Sequence, residues 1–513
     1  MKVKFYGHNC YVLSGYDANV IIDPWLSTKG AFFGSWFQWP LNHHLISNLV
    51  ADAKKSNNTY IYISHEHQDH FDTETLCILR QHVDYCIIPE YYDDYLKTTI
   101  TAMGFKVITL ADSLSFDLGN NARIELLIVD TGVNHDSTAI IEMDGQTFVN
   151  QNDSKIFDRL GYISKRPVDY YAVQFSGATW HPVCYDYDDM KKEQISKKKI
   201  FSKFISIRNA IKLLAPTYYL PSAGPAVFPH LEESLSYGEN NIFVHQDVLA
   251  KHLKNSTVQT VYLRPGQAFE DGIHNGPIAP PSRHEWQQLK AKLACTFDAL
   301  DSRYIDDEAL QFAIDERLQQ LKGLVFEQCP ALYLNWGRET FDGLKVDLNN
   351  LSVTRTNDIT SDAFVEISAE PKYFNLMADK AMRWQDIYLS LRARIRRQPD
   401  MFNTFINIFL FSDVSNIRKA FETTLSINET RIVKQNPKTG KSYEINRYCP
   451  HNGADLLNAD IDDEGRLMCP RHGWLFDLHN DGKCDRAKVS INAKEIVNTI
   501  TLCETVSARL VKD

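Results

Sequence analysis

Short apolar runs separated by polar turns fill the first 275 or so residues. They recur at Val3–Leu13, Asn19–Trp25, Asn58–Ser64, Tyr85–Ile88, Lys106–Leu110, Ala122–Val129, Ser137–Met143 and Thr147–Val149. Runs of this length, bounded by turn residues, predict strands, and the first two predict a hairpin that ends in a turn. Between them, Thr73–Val83 and Lys191–Leu214 carry apolar residues at helical spacing. Strands alternating with helices predict an α/β or αβ-layered domain.

The Gly/Pro-rich stretch from Arg264-Pro265-Gly266 through 271–281 marks a boundary. Beyond it the pattern predicts helices at Glu285–Leu324, Ala378–Arg397 and Asn403–Phe421, with strands at Ala331–Trp336 and Phe364–Ile367. This middle module carries no chemical motif. It could form a wall of a substrate pocket, a subunit interface or a spacer. From about Thr423 the pattern turns all-β: Thr430–Lys434, a turn over Asn436–Gly440, then Ser442–Ile445. The expected organisation is therefore an α+β multidomain chain with segments 1–280, 281–421 and 422–513.

Composition narrows the picture. A 513-residue chain exceeds one core, and 44% hydrophobic with 23% charged residues is globular. A net charge of −10 argues against nucleic-acid or anionic-membrane binding. The longest apolar run, Phe402–Phe411, is too short to span a bilayer and reads as a buried helix. The N-terminus lacks an apolar signal core, and ten cysteines without regular spacing suggest reduced thiols, so a cytoplasmic location is expected. Eight of them (Cys10, Cys77, Cys86, Cys184, Cys295, Cys329, Cys484 and Cys503) read as core residues rather than ligands. The lysine run Lys197–Lys199 reads as a solvated helix face or as a phosphate-attracting rim.

Two clusters carry chemistry. The first, Ser64-His65-Glu66-His67-Gln68-Asp69-His70, follows the apolar run Tyr60–Ile63, so a strand delivers four metal-capable side chains into a loop. His65 and His67 can share one ion while Asp69 and His70 turn to a second. Mixed imidazole and carboxylate suits zinc or iron, and added oxygen ligands favour iron or manganese. The second, Cys449-Pro450-His451 and Cys469-Pro470-Arg471-His472, supplies one Cys and one His per loop, with Gly453 and Gly473 following. A Cys/His quartet can hold zinc. Matched Cys/His loops, each with Pro after the Cys, instead fit two thiolates on one iron and two imidazoles on the other.

Cys-Pro-His-Asn-Gly-Ala-Asp-Leu with Cys-Pro-Arg-His-Gly-Trp-Leu-Phe-Asp resembles the Rieske ferredoxin family, which implies a [2Fe–2S] cluster on Cys449, His451, Cys469 and His472. His-X-His-X-Asp-His, with Ile22-Asp23-Pro24-Trp25-Leu26 and a later His135, resembles the metallo-β-lactamase superfamily over roughly the first 275 residues. That resemblance implies an αββα sandwich, followed here by the mixed α/β module and an all-β Rieske domain. It also implies metal ligands at His65, His67, Asp69, His70, His135 and Asp153, with Asp153 bridging and Asp69, His70 and Asp153 at the catalytic centre. The family's late ligand histidine has no counterpart at Tyr219–Pro225, where His230 or His181 could substitute.

The pairing of both domains resembles the CMP-N-acetylneuraminate hydroxylase family, as do Val173-Gln174-Phe175-Ser176-Gly177-Ala178, Leu220-Pro221-Ser222-Ala223-Gly224 and Leu263-Arg264-Pro265-Gly266. Here the Rieske domain is C-terminal, whereas in that family it comes first. The resemblance implies an iron-dependent oxygenase: the cluster passes electrons to one or two non-haem irons that activate O₂. The reaction would be hydroxylation or N-oxygenation of a small polar substrate, such as a nucleotide sugar or amino-sugar. The alternative is a zinc or manganese hydrolase of lactonase or phosphodiesterase type, with the Rieske domain as a redox module. No flavin- or nicotinamide-binding motif is evident, so the reductant is expected to be a separate ferredoxin, cytochrome b5-like protein or reductase. A homo-oligomer is compatible with this scheme. The aromatic stretch Phe32–Pro40 could cover the pocket, or simply pack.

Overall fold

A computed structural model describes residues 1–55, 58–130, 135–232, 241–270, 275–293, 304–326, 328–426, 430–451 and 453–496. The boundary residues 271–274, with Cys295 and Cys503, fall outside this set. The chain forms two compact units, Met1–Leu425 and Ser426–Asp513.

The first unit contains two sheets packed face to face. One has six strands in the order Lys2–Gly7, Cys10–Ser14, Asn19–Ile22, Thr59–Tyr62, Tyr85–Pro89 and Val107–Leu110. The other has seven: Gln259–Thr260, Tyr218–Ser222, Tyr170–Gln174, Gln146–Asn152, His135–Met143, Ala122–Asp130 and Ser115–Gly119. Successive strand residues point to opposite faces, and the core follows that parity. Val20 and Ile22 pack between the sheets with Tyr62, Leu126, Ala139, Ile141 and Phe148. Ile21 and Ile61 point the other way, against Leu49, Leu76 and Leu79 of the helices Ile46–Ala53 and Thr73–Leu79. On the far side Ile140, Val149 and Tyr171 meet Phe204, Ile207 and Ile211 of the helix Asp189–Leu214. The result is the expected αββα sandwich.

The segment expected as a separate module, 281–421, lies within this first unit. Its sheet runs Ser352–Thr356, Gly343–Asp347, Ala331–Asn335, Phe364–Ser368 and Arg394–Gln398. Its apolar residues share one core with Trp25, Phe32, Trp36, Phe228 and Phe243 from the loops of the sandwich. Two helix expectations need correction. Residues 378–397 end in a strand, because Ile395 is buried while Arg394 and Arg396 turn outward beside Phe364–Ser368. Residues 403–421 are two helices, Thr404–Phe411 and Ile417–Ser426. Buried Arg317 ends the first by donating to the carbonyls of Phe409 (2.8 Å), Leu410 (3.0 Å) and Ser412 (2.6 Å), which satisfies the final orphan acceptors.

The second unit is all-β, with a three-stranded sheet (Arg431–Gln435, Ser442–Asn446, Lys494–Ile496) and a four-stranded sheet (Asp460–Ile461, Arg466–Met468, Leu475–Asp477, Lys483–Cys484). Among the described residues no helix is long and apolar enough to cross a membrane.

Candidate metal centres

The buried strand Thr59–Tyr62 runs through Ile63 and Ser64 into the histidine cluster. The loop closes on itself: the amides of His70 (2.9 Å) and Phe71 (2.7 Å) donate to the His67 carbonyl. Asp72 then caps the helix Thr73–Leu79 by accepting from the Glu74 amide (3.2 Å).

Asp23 orients this loop. Its carboxylate accepts from the Ser64 amide (2.8 Å), Ser64 Oγ (2.6 Å), Asn9 Nδ2 (2.7 Å) and His70 Nδ1 (2.7 Å). Bonding at Nδ1 leaves His70 Nε2 as the ligand atom, the usual way a carboxylate sets a metal-binding imidazole. His70 Nε2 is buried without a hydrogen-bond partner, 3.6 Å from Asp69 Oδ2 and 3.6 Å from Asp153 Oδ1. Ligand atoms around one ion, at bond lengths of about 2.0–2.2 Å, stand roughly 3–3.6 Å apart.

Two overlapping triads have ligand atoms within 4.8 Å of one another: His8, Asp69 and His70, and His65, His70 and Asp153. A single imidazole nitrogen serves one ion, so the triads are two positions for an ion at His70. His65 Nε2 and His67 Nδ1 face each other at 2.9 Å, and His65 Nδ1 lies 3.6 Å from Asp136 Oδ1. The sequence reading missed His8 and Asp136. His8 lies at the turn of the first hairpin, where φ is +51°, and its Nε2 stands 3.0 Å from Asp69 Oδ2.

The electrostatics call for a cation. Although burial opposes its charge, Asp69, Asp153 and Asp23 push the His70 imidazole up to about 10, so a proton stands in for an ion. Asp69 is held well below the usual carboxylate range despite its burial, by His70 and His8. Burial and the neighbouring Asp153 push Asp136 well up. Burial, with His70 and His67 nearby, holds His65 well down and therefore neutral, the form that binds metal. Buried carboxylates beside a neutral His65 and a His70 whose Nε2 proton an ion would replace fit one or two divalent ions.

His135 does not join either triad. It stacks on Tyr91 (centroids 5.1 Å), with Nδ1 3.5 Å from both Glu66 Oε1 and Asp93 Oδ2 and Nε2 3.5 Å from Asp130 Oδ1. These carboxylates outweigh its burial and push its imidazole up to about 9. Its strand neighbour Asp136 faces the opposite way, which is how the next residue rather than the histidine reaches His65. His230 is also apart: burial and Arg392 pull it down to about 3, among the backbones of Ser35, Leu391 and Ser390. His181 packs edge-on against Tyr185 (centroids 4.7 Å).

The intervening motif residues bind the segment that follows the helix Pro371–Ala378. Glu66 Oε1 pairs with Arg383 (2.9 Å), and Gln68 accepts from the Phe32 amide (2.7 Å) while donating to Asp386 (3.2 Å). Trp36 Nε1 donates to the Leu389 carbonyl (2.6 Å), and Phe32 presents its ring to His67 (centroids 6.2 Å).

In the second unit the two ligand loops repeat one backbone pattern. Cys449 donates to the Ala454 carbonyl (2.9 Å) and Gly453 to the Cys449 carbonyl (2.8 Å); Cys469 donates to Trp474 (2.8 Å) and Gly473 to Cys469 (2.9 Å). Gly453 and Gly473 have φ of +58° and +62°, the left-handed conformation that glycine adopts without strain. The cysteines are buried, and the imidazoles of His451 and His472 lie together (centroids 4.7 Å), with His451 stacked on Trp474 (4.0 Å, 9°). Contact with Cys449 and the amides of His472 and Arg471 hold the Cys469 thiol below its usual range despite burial. The thiols pair on one side and the imidazoles on the other, the division a [2Fe–2S] cluster requires.

Comparison with known proteins agrees. The family described as a beta-lactamase superfamily domain matches residues 2–127, and that described as a Rieske [2Fe-2S] domain matches residues 407–496. A protein of Mycobacterium tuberculosis (strain H37Rv), named as a candidate Rieske 2Fe-2S iron-sulfur protein, is 26% identical over 95% of this chain and 98% of its own length. Pheophorbide a oxygenase of Oryza sativa subsp. japonica is 37% identical over 60 residues, 12% of this chain and 11% of that protein. Among solved structures, a variant of the CmlA beta-hydroxylase has a TM-score of 0.35 at 15% identity, covering 52% of this chain and 53% of that one. The chain joins a metallo-β-lactamase-like N-terminal domain to a C-terminal Rieske [2Fe–2S] domain.

Proposed function

We propose that the chain is a non-haem iron oxygenase fed with electrons by its Rieske cluster. One observation carries the reading: a one-electron centre shares a chain with a carboxylate-rich metal site, and hydrolysis has no use for electrons. His65, His67, Asp69, His70 and Asp153, with His8 and Asp136 added, are the residues that would hold iron, and oxygen donors at this proportion favour iron or manganese over zinc. Iron bound there would activate O₂, and the Rieske cluster would relay single electrons from a separate donor protein. The overall change is R–H + O₂ + 2e⁻ + 2H⁺ → R–OH + H₂O.

The chain's own residues prepare that step. Asp23 fixes the tautomer of His70, and Ser64 Oγ, 3.0 Å from His65 Nδ1, orients His65. Phe32, itself buried, turns the edge of its ring to His67, and Trp36 packs behind it. The substrate class that fits is a small polar molecule, and the resemblance to the CMP-N-acetylneuraminate hydroxylase family favours a nucleotide sugar or amino-sugar bearing an N-acyl group.

Metal analysis with EPR of the reduced, anaerobically purified protein tests this. Iron in both units is expected, with NAD(P)H- and reductase-dependent O₂ uptake that is lost separately in His65→Ala and Cys449→Ala. Zinc in the first unit with no iron there replaces the oxygenase by a metal-dependent hydrolase carrying a redox module.

A further inference from the structure

The first hairpin reverses within two residues. Gly7 pairs with Cys10, so His8 and Asn9 make the whole turn between the strands Lys2–Gly7 and Cys10–Ser14. A buried main-chain carbonyl in such a turn needs a donor from elsewhere. Ala223 supplies it: its amide donates to the His8 carbonyl (2.9 Å). The adjacent Ser222 Oγ donates to Asn9 Oδ1 (2.7 Å), which also accepts from Asn150 Nδ2 (3.0 Å). A hydroxyl has one proton, so Ser222 Oγ, 3.4 Å from the His8 carbonyl, is not a second donor to it.

The two bonded residues share an uncommon backbone. His8 has φ +51° and Ala223 +47°, left-handed values that cost free energy for a residue with a Cβ. At Ala223 the left-handed step turns the chain aside directly after the strand Tyr218–Ser222. His8, Asn9, Ser222 and Ala223 are all buried, so the packed surroundings hold both steps in place.

The His8 imidazole is also held differently from its neighbours. Asp23 fixes His70 at Nδ1 (2.7 Å), and Ser64 Oγ stands 3.0 Å from His65 Nδ1. Nδ1 of His8 is buried and has no hydrogen-bond partner among the described residues. Trp25 and His70 flank its ring edge-on (centroids 5.0 and 5.2 Å). With no side chain fixing Nδ1, the place of Nε2 beside Asp69 is set through the backbone of the turn. We propose that Ala223 is a positioning residue for the first metal centre: its amide anchors the His8 carbonyl and so sets the imidazole against Asp69. The loop Ser222-Ala223-Gly224-Pro225 carries no imidazole, carboxylate or thiol, and it serves the centre through its main chain. This rests on the reading of His8, Asp69 and His70 as a metal triad.

Cobalt(II) is the probe, added to the full chain after a chelator has emptied the first unit, with the Rieske cluster kept oxidised. Chelator competition gives the affinity, low-temperature EPR of the cobalt reports its ligand set, and metal content is measured in every sample. Ala223→Val keeps the amide, but its β-branched side chain resists the left-handed backbone. It is expected to weaken cobalt binding roughly tenfold and to shift the cobalt EPR toward that of His8→Ala. Ala223→Gly adopts the same backbone freely and is expected to bind as wild type does. In the His8→Ala background Ala223→Val is expected to cost nothing further, because both changes act on one ligand. If Ala223→Val fails to fold, Ser222→Ala decides by the same cycle, with a loss of roughly threefold that vanishes without His8. Equal losses with and without His8, or wild-type binding by Ala223→Val, overturn the proposal. Wild-type binding by His8→Ala removes the triad and the proposal with it. Zinc in the purified protein sinks the oxygenase reading and leaves this cycle intact, so the two fail separately.

Discussion

The two metal centres are built in opposite ways. The Rieske ligands span Cys449 to His472, and each loop closes through its own backbone. The first centre gathers His8, Asp23, the His65–His70 loop, Asp136 and Asp153 from five stretches of the sandwich. A local site depends on its own loop; a distributed site depends on everything that holds the stretches in register.

The contrast yields graded expectations. The largest effect is at the local site: Cys449→Ser abolishes the Rieske EPR signal while iron in the first unit, measured by metal analysis, stays at wild-type level. Loss of iron from both units would break the comparison. Next, Arg383→Met leaves buried Glu66 with His135 as its remaining cationic neighbour and lowers stability by about 3 kcal/mol, read as a fall in thermal midpoint. The double variant Glu66→Gln/Arg383→Met should recover part of that loss. Asp23→Asn frees the tautomer of His70 and weakens metal binding in the first unit by roughly 10- to 100-fold, measured by competition with a chelator.

His8 and His230 sharpen the distributed picture. His8→Ala is expected to weaken metal binding at least roughly tenfold, because it removes one of the three residues of its triad. His230→Ala leaves metal affinity unchanged. The reverse result would restore the late histidine as ligand and remove the one at the hairpin turn.

A pH dependence completes the set. His70 in the metal-free protein titrates at about 10, raised from the ordinary 6.5. Its contribution to stability is full below about pH 6.5 and is lost as pH rises through the window to about 10, by about 1.4 kcal/mol per pH unit at most. Metal-loaded protein, whose His70 keeps its Nδ1 proton on Asp23 but carries none at Nε2, should show no such slope in denaturant unfolding.

This contrast also explains what the sequence disclosed. The Rieske ligands were legible because their spacing is their geometry. That His65, His67, Asp69 and His70 lie together was legible for the same reason, as was the sandwich, whose strands carry strong parity at Val20, Ile21 and Ile22. His8 was not, since a histidine at a hairpin turn bears no mark of a partner sixty-one positions on. Asp136 was hidden by its neighbour: a histidine at the expected place attracts the assignment, while strand parity decides which of the two side chains turns to His65. The strand Arg394–Gln398 was hidden because four of its five residues are polar and only Ile395 reports a buried face.

Glu66 and Gln68 occupy the variable positions of the motif, yet Gln68 finds Asp386 318 residues later in the chain. A ribosome adding about 5–20 residues per second needs tens of seconds to deliver that partner. The loop that emerges among the first elements is thus among the last to be locked, and until Arg383 and Asp386 arrive Glu66 has no guanidinium to meet. Metal capture at the first centre should accordingly be a late event, timed by the synthesis of a segment that contributes none of the ligands named above.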